Sequence, residues 1–351
     1  MRRAWMGVAA MVLLAASGAA AQPAAGTDES APRGLQRWID WQAGTLDTRY
    51  RFIETSEGET TSNQQQHRQV LRARLKLDPE GRYAITGGAA TGGSLTSGWD
   101  NLGIGRGDPT WDISLRQLFV NARPVDWIDG EIGGLYATRG ESTEITSYDN
   151  DAYVTGARVR LRRPGEIFFD EVTVTAGRLD ARSPTNVFRR FDELDDHNFT
   201  QVIGSRRLGD RVRASVEWTS LEGISTLRQA VRVEVGEWVP LDWVRFEQYQ
   251  RVEGDKGYGM GIAVERGITD RLTLGGGFAS IDEGNPTLNG DRYLRGRRLF
   301  GLAEYALRPD LELMVFYTQA FEDDFVIPNQ HRFEVVLSFD FRAAMRRAGL
   351  W

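Results

Sequence analysis

Apolar and polar residues alternate with a period of two along much of this 351-residue chain. The last such segment, RFEVVLSFDF at residues 332–341, places five apolar residues on one parity and mostly polar residues on the other. Similar alternation is clear near residues 69–77, 152–162, 211–218 and 311–317. Because successive side chains of a β-strand point to opposite faces, this pattern predicts strands with one apolar face.

Two kinds of connection join these segments. Compact turns rich in Pro, Gly and Asp, such as residues 78–81 and 308–310, alternate with longer polar loops, of which residues 93–112 and 181–199 are the longest. Short turns on one side and long loops on the other are typical of transmembrane β-barrels. The pattern predicts an all-β, antiparallel, up-and-down barrel of about 16 strands, beginning near residues 44, 69, 83, 113, 130, 152, 171, 200, 211, 226, 243, 257, 271, 297, 311 and 332.

The amino terminus predicts export. Arg2 and Arg3 precede a short apolar run at residues 4–16, and small residues at 19–21 form a cleavage site. This arrangement is typical of a cleaved signal peptide, and the apolar run is too short to span a bilayer. We therefore predict a signal peptide at 1–21, a periplasmic lead-in at 22–43, a barrel at 44–341 and a tail at 342–351.

Composition narrows the chemistry. The mean hydropathy is −0.41, which fits a transmembrane barrel because only every second strand residue faces lipid. The chain has no cysteine and only three histidines, none with an adjacent serine placed for activation. We therefore expect no catalytic site, no metal and no cofactor.

Glycine and aromatic residues add detail. The glycine runs at 87–88, 133–134 and 275–277 lie inside predicted strands, where glycine marks bends or close approach of neighbouring backbone. Aromatic residues fall into two sets at the strand ends, which predicts the two belts that flank the apolar band of a barrel. The loop-side set is Phe52, Tyr136, Trp218, Phe278 and Tyr317, and the turn-side set is Tyr83, Trp127, Phe168, Phe169, Trp238 and Trp243.

Together, the leader, the 16 alternating segments, the short turns and the aromatic-rich final segment resemble the general porin-like outer-membrane barrels. Two stretches, LRQLFVNARP and VTVTAGRLD, are also faintly similar to alginate-export-type barrels. Members of such families usually end on an aromatic residue of the last strand, whereas here ten residues follow Phe341. The resemblance implies a barrel in the outer membrane of a Gram-negative bacterium, inserted into its lipid by the barrel-assembly machinery.

The polar face of a 16-stranded barrel surrounds an aqueous channel. Charged residues on this parity are mostly arginines in strands 2 and 6 to 11, with more acids in strands 14 to 16, which predicts a basic wall opposite an acidic one. Structural Arg–carboxylate pairing without selectivity is the alternative. The predicted pore-lining residues are Arg49, Arg51, Arg72, Arg74, Lys76, Arg158, Arg160, Arg162, Arg211, Arg213, Arg228, Arg232, Arg245, Glu247, Arg251, Glu304, Glu334 and Asp340.

A constriction is expected from a long loop that folds inward. The candidate is the loop at 181–199, in which an amphipathic turn carries Phe188, Arg189, Arg190, Asp192 and Glu193. A surface lid is the equally weighted alternative for this loop. The loop at 93–112, rich in glycine and carrying Trp99 and Trp111, is the rival segment.

These patterns predict a porin-like channel through which small hydrophilic solutes, including anions, diffuse. Export of an anionic polysaccharide, or a non-conducting structural or receptor barrel, remain alternatives. The expected partners are outer-membrane lipid, the barrel-assembly machinery and the solutes themselves, with no nucleic acid, and a homo-oligomer is left open.

Overall fold

The computed structural model describes residues 37–94, 98–148, 152–163, 168–179, 184–193, 196–236, 239–252, 257–282, 292–293, 296–321 and 330–348. The predicted signal peptide and most of the lead-in lie outside these residues. Within them, no helix is both long enough and apolar enough to cross a membrane.

Seventeen antiparallel strands dominate the described chain. They are β1 (Ile39–Thr55), β2 (Thr60–Lys76), β3 (Tyr83–Ala90), β4 (Asp100–Gly105), β5 (Ser114–Val125), β6 (Ile128–Tyr136), β7 (Tyr153–Arg162), β8 (Glu171–Arg178), β9 (Phe199–Leu208), β10 (Val212–Leu221), β11 (Ile224–Glu234), β12 (Trp243–Arg251), β13 (Tyr258–Thr269), β14 (Leu272–Ile281), β15 (Gly296–Arg308), β16 (Leu311–Ala320) and β17 (Gln330–Asp340). Two short helices, α1 (Val187–Phe191) and α2 (Phe341–Arg347), complete the set.

The wall of the barrel consists of every strand except β4, which gives the predicted 16. Each wall strand pairs with its neighbours in the chain, and the wall closes because β1 pairs with both β2 and β17. Strand β4 belongs to the loop between β3 and β5 and pairs with the first half of β2, whereas β3 pairs with the second half. A closed barrel satisfies its backbone hydrogen bonds without an exposed edge, as a lipid environment demands.

The predicted alternation is confirmed over most of the wall. Leu46, Leu71 and Leu299 are about half exposed on the outer surface, whereas Asp47, next to Leu46, is 1% exposed. Fourteen of the 16 wall strands begin within two residues of the predicted starts. The exceptions are β1, which begins at Ile39 rather than near 44, and β2, which begins at Thr60 rather than near 69. The first half of β2 has polar residues on both faces, so it shows no alternation of apolar and polar residues from which a strand could be predicted.

The end of the β6–β7 hairpin departs from the simple wall. Both faces of β7 are buried from Tyr153 to Arg158, so protein packs on each side of the hairpin at this end. The departure begins where Gly133 pairs with Gly156. Gly133 has a φ of +134°, and a Cβ on Gly156 would lie 2.1 Å from the backbone oxygen of Ala176. Glycine is needed at both positions, which confirms that the run at 133–134 marks close backbone approach.

The carboxyl-terminal tail folds back onto the barrel. The last strand ends at Asp340, whose side chain caps α2 by accepting a hydrogen bond from the Ala343 amide at 3.0 Å. Arg342 donates hydrogen bonds to the backbone oxygens of Trp41 and Gln42 on β1. Phe341 therefore begins a helix instead of ending the last strand.

Candidate functional site: the barrel interior

Within the described part of the chain, a loop that the sequence does not single out crosses the interior. This segment, residues 137–148 between β6 and β7, is here called the inner loop. Thr143 donates from its amide and its hydroxyl to the carboxylate of Glu247 on β12, and the Thr146 hydroxyl donates to the same carboxylate. The amide of Glu141 donates to the Ser215 hydroxyl on β10 at 2.7 Å. These contacts join positions that are 74 to 104 residues apart in the chain, so a local sequence pattern does not predict them.

An apolar anchor adds to these hydrogen bonds. Ile145 packs in a buried cluster with Tyr249, Ala279 and Ile281, which lie on β12 and β14. A Cβ on Gly261 of β13 would lie 2.7 Å from the Ile145 side chain, so the glycine makes room for the isoleucine. The inner loop is therefore held by both polar and apolar contacts.

A buried ion pair supports the inner loop from beneath. Arg228 on β11 and Glu217 on β10 lie 3.1 Å apart and are 0% and 1% exposed at their side chains. Arg228 also donates to the backbone oxygen of Thr146 at 2.7 Å. Tyr148 contacts Arg228 and Phe199, and burial raises the pKa of its hydroxyl. The arginine is thus a structural support for the loop as well as a charge of the interior.

A second charged cluster surrounds Glu334 on β17. Its carboxylate lies 2.7 Å from Arg332 and 2.9 Å from Arg49, with Arg292 and Arg51 at 3.4 and 3.6 Å. Arg49 also stacks on Trp99, 4.1 Å from the ring centre, in the loop at 93–112 that the sequence names as the rival constriction. This loop therefore contacts the interior near the rim.

The arginines of β7 pair with acids on the neighbouring strands. Arg158 lies 2.8 Å from Glu131, and Arg160 and Arg162 both lie within 3.7 Å of Asp129. The structural pairing that the sequence leaves open as an alternative is therefore present in this part of the wall.

The basic strip of β2 has a different environment. Arg74 donates to the backbone oxygen of Gly81 and to the side chain of Asn121, and Lys76 also packs against Gly81. Arg72 stacks on Tyr136, with 4.1 Å between the guanidinium carbon and the ring centre. All three cations are partly exposed on the inward face, and no ion pair is formed by any of them within the described part of the chain.

The remaining predicted pore-lining residues occupy both ends of the barrel. Arg232 lies 3.1 Å from Glu234, Glu304 lies close enough to Glu265 and Glu312 for mutual repulsion, and Asp340 caps α2. Arg211, Arg213, Arg245 and Arg251 follow the inward parity of β10 and β12 or, for Arg211, the turn before β10.

The predicted constriction segment forms α1 and packs against β5, β6 and β7. Val187 and Arg190 are buried, whereas Phe188, Arg189 and Asp192 are exposed, and Glu193 forms an ion pair with Arg178 at 3.4 Å. Burial, together with repulsion from Arg116, lowers the pKa of Arg190 to about 10, so it remains charged at neutral pH. The helix thickens one side of the rim, and its role as the constriction stays a prediction.

For two aromatic residues, Tyr136 and Trp243, the predicted position in the outer aromatic belts is wrong. Tyr136 lies inside against Arg72, because the glycine pair at 133 and 156 disturbs the alternation before the strand ends. Trp243 shares the inward parity of Glu247, stacks near Arg232 and Arg245, and donates to Glu265 at 3.0 Å. Trp218 and Tyr317 are partly exposed on the outer surface, and Trp238 lies outside the described residues.

Within the described residues, no group of three or more His, Asp or Glu side chains is arranged to hold a metal ion. The interior instead offers guanidinium groups, carboxylates and hydroxyls around a docked loop. Chemically, such groups can bind ions and polar molecules through charge and hydrogen bonds.

Comparisons with known proteins agree on the architecture. No protein-family model matches the chain, and no curated protein matches it by sequence. Solved structures that resemble it include Salmonella typhi OmpF in complex with daunomycin, with a TM-score of 0.57, 10% identity and coverage of 86% of this chain and 97% of that chain. The outer membrane channel DcaP of Acinetobacter baumannii has a TM-score of 0.52, 10% identity and the same coverages.

A mutant of the porin of Rh. blastica has a TM-score of 0.54 and 10% identity, with coverage of 86% of this chain and all of that chain. At such low identity the likeness concerns the fold alone. The likeness extends over almost the full length of each neighbour. The chain has the fold of the porin-like outer-membrane β-barrels.

Proposed function

We propose that the protein is an outer-membrane channel through which small hydrophilic solutes, including anions, diffuse. The observation that carries this proposal is the inner loop docked inside a barrel of 16 wall strands whose inward face is charged. A barrel of this size has room for water, and a loop fixed across it limits the size of the solutes that pass. Charged side chains on a lipid-facing surface would each cost several kcal/mol, so their inward placement favours a wet interior.

The distribution of charge supports a preference among solutes. The inner loop carries Glu141, whose amide is bound to Ser215 on β10, whereas Arg72 and Arg74 lie on β2 at the other side of the interior. Nearer the short turns, Glu304 on β15 lies half-way round the 16-strand wall from Arg160 on β7. Opposed walls of unlike charge would orient polar solutes, and unpaired arginines would favour anions.

The test is conductance of the purified, refolded protein in planar bilayers. We expect stepwise currents in KCl that fall when small neutral polymers enter the channel and recover when the polymers are too large. In a KCl gradient, the sign of the reversal potential reports the preferred ion, and a clear preference for potassium would end the anion part of the proposal.

Two other functions remain as outcomes of the same experiment. Absence of conductance from correctly folded protein would favour a non-conducting structural or receptor barrel and would end the channel proposal. Passage of long anionic polysaccharides would favour an exporter, for which the inner loop would have to leave its place. No catalytic role is proposed.

A further inference from the structure

The guanidinium of Arg72 has an unusual environment among the arginines of the interior. It lies 4.1 Å from the ring centre of Tyr136 and is partly exposed on the inward face of β2. Within the described residues it forms neither a hydrogen bond nor an ion pair, and its Nε atom is buried without a partner. Arg158 on β7, by contrast, forms an ion pair with Glu131 at 2.8 Å.

The aromatic ring beneath Arg72 is held firmly. Tyr136 stacks on Tyr153, its cross-strand partner, with 5.0 Å between the ring centres and 29° between the planes. The guanidinium of Arg190 lies 5.4 Å from the centre of the Tyr153 ring, and that of Arg116 lies 6.0 Å from it. The result is a column of Arg72, Tyr136, Tyr153 and Arg190, here called the arginine–tyrosine column.

The second arginine of the column also lacks an acidic partner. Arg190 is 2% exposed and donates to the backbone oxygen of Arg116, while its Nε and Nη1 atoms have no hydrogen-bond partner. Glu193, which acts on Arg190 electrostatically, is engaged by Arg178 at 3.4 Å. Two guanidinium groups therefore flank the tyrosine pair, and neither forms an ion pair within the described chain.

This geometry has a chemical consequence. Stacking on a ring covers one face of a guanidinium but leaves its N–H groups pointing outward in the plane. Those donors match the spacing of two oxygens of a carboxylate or a phosphate, which an arginine binds in a bidentate manner. A lysine in the same place would keep the charge but lose the planar fork.

We propose that Arg72, held by the arginine–tyrosine column, is a binding site for oxyanions that enter the interior. The ligand class is a carboxylate or phosphate group of a small solute, bound at the partly exposed edge of the Arg72 guanidinium. The inference deepens the proposed channel function and rests on it, because the ligand reaches this edge through the interior.

The experiment measures block of chloride current by two probes, acetate and inorganic phosphate. In planar bilayers at fixed KCl, both probes are expected to reduce the current of the unaltered protein in a saturable manner. Arg72→Lys is expected to weaken the apparent affinity by about tenfold or more, which corresponds to about 1.4 kcal/mol. Arg72→Gln is expected to abolish saturable block, and Tyr136→Leu to weaken it because the guanidinium plane is no longer fixed.

Arg271→Lys is the matched control, since Arg271 is an exposed arginine of the short turn between β13 and β14. It should leave the block unchanged. Equal block by the unaltered protein and the Arg72→Lys variant would overturn the site, because charge alone would then explain the effect. A conducting channel with no saturable block would overturn the site while leaving the channel function intact.

Calorimetric titration of the detergent-solubilised protein with phosphate provides a second readout that needs no current. Heat of binding that is lost in Arg72→Gln supports the site even if the barrel does not conduct, in which case only the channel function fails. Equal binding by the unaltered protein and Arg72→Gln would contradict the site. The relative strength of acetate and phosphate then indicates which source of oxyanion the site favours.

Discussion

Arginines on β11 and on β2 point to the same interior but have opposite environments. Arg228 on β11 is fully buried, paired with Glu217 and bound to the backbone of the inner loop. Arg72 on β2 is partly exposed, stacks on a tyrosine and has no carboxylate partner among the described residues. The first stabilises the barrel, whereas the second offers its charge to the solvent of the interior.

The contrast between Arg228 and Arg72 shows that a charged side chain can face inward without being exposed to the solvent of the pore. Alternation along a strand decides which face a side chain occupies, but the loop above it decides whether the side chain meets water. The inner loop contacts β10, β11 and β12, whereas Arg72 on β2 remains partly exposed. The following four substitutions test this contrast.

The largest effect is expected for Arg228→Met. Removal of the guanidinium leaves the buried Glu217 without its cation, which costs about 3–5 kcal/mol in the free energy of unfolding. Urea-induced unfolding in lipid vesicles measures this loss. Arg213→Met on the neighbouring strand is the control and should have little effect, and equal stability of the two variants would remove the proposed support for the inner loop.

Gly133→Ala tests the bend that separates the two regions. A side chain at a φ of +134° strains the backbone by about 1–3 kcal/mol, and its Cβ would meet the backbone of β5. We expect a lower urea midpoint and noisier currents, because the hairpin carries the inner loop. Gly301→Ala is the matched control, since a Cβ there has no atom within 4 Å. Identical midpoints for the two variants would contradict the account of the bend.

Thr146→Val tests the hydrogen bonds that fasten the inner loop. The change keeps the shape of the side chain but removes the hydroxyl that donates to Glu247, at a cost of about 1 kcal/mol. A modest loss of stability should accompany a small rise in current noise. Thr48→Val on β1 removes a hydroxyl that bonds only to a backbone oxygen of the wall, so it should not change the noise.

The smallest effect on stability is expected for Arg72→Gln. Because Arg72 has no ion pair or hydrogen bond to lose among the described residues, and only its contact with the Tyr136 ring is removed, the free energy of unfolding should change by about 0.5 kcal/mol. Urea-induced unfolding in lipid vesicles, as for Arg228→Met, measures this change in the free energy of unfolding. A loss comparable with that of Arg228→Met would mean that both arginines are structural, and the contrast between the two regions would disappear.

The sequence predicts the wall well because alternation is a local property. Alternation within a single strand is enough to assign its apolar face, as it does for Phe333, Val335 and Leu337. The turn residues likewise indicate where each strand ends. The first half of β2 is missed because TTSNQQQ is polar on both faces, and β4 is missed because its pairing depends on a distant strand.

The candidate site is harder to predict because its decisive contacts are not local. Thr143 reaches Glu247 across 104 residues, and nothing in the segment TRGESTEITSY distinguishes it from a solvated loop. The glycine run at 133–134 is a signal of the bend, but not of the direction that the loop takes. The prediction for residues 181–199 rests on an amphipathic pattern, which forms α1 packed on the adjacent wall strands.

The central claim is that the inner loop lies against β12 and β13 inside the folded barrel. Because the chain has no cysteine, a disulfide between Ile145→Cys and Gly261→Cys can form only if these positions meet. Mild oxidation of the folded, membrane-inserted double variant is expected to give the disulfide, seen as a change in electrophoretic mobility that a reductant reverses. A variant that folds, stays reduced under the oxidant and forms the bond only after unfolding would contradict the claim.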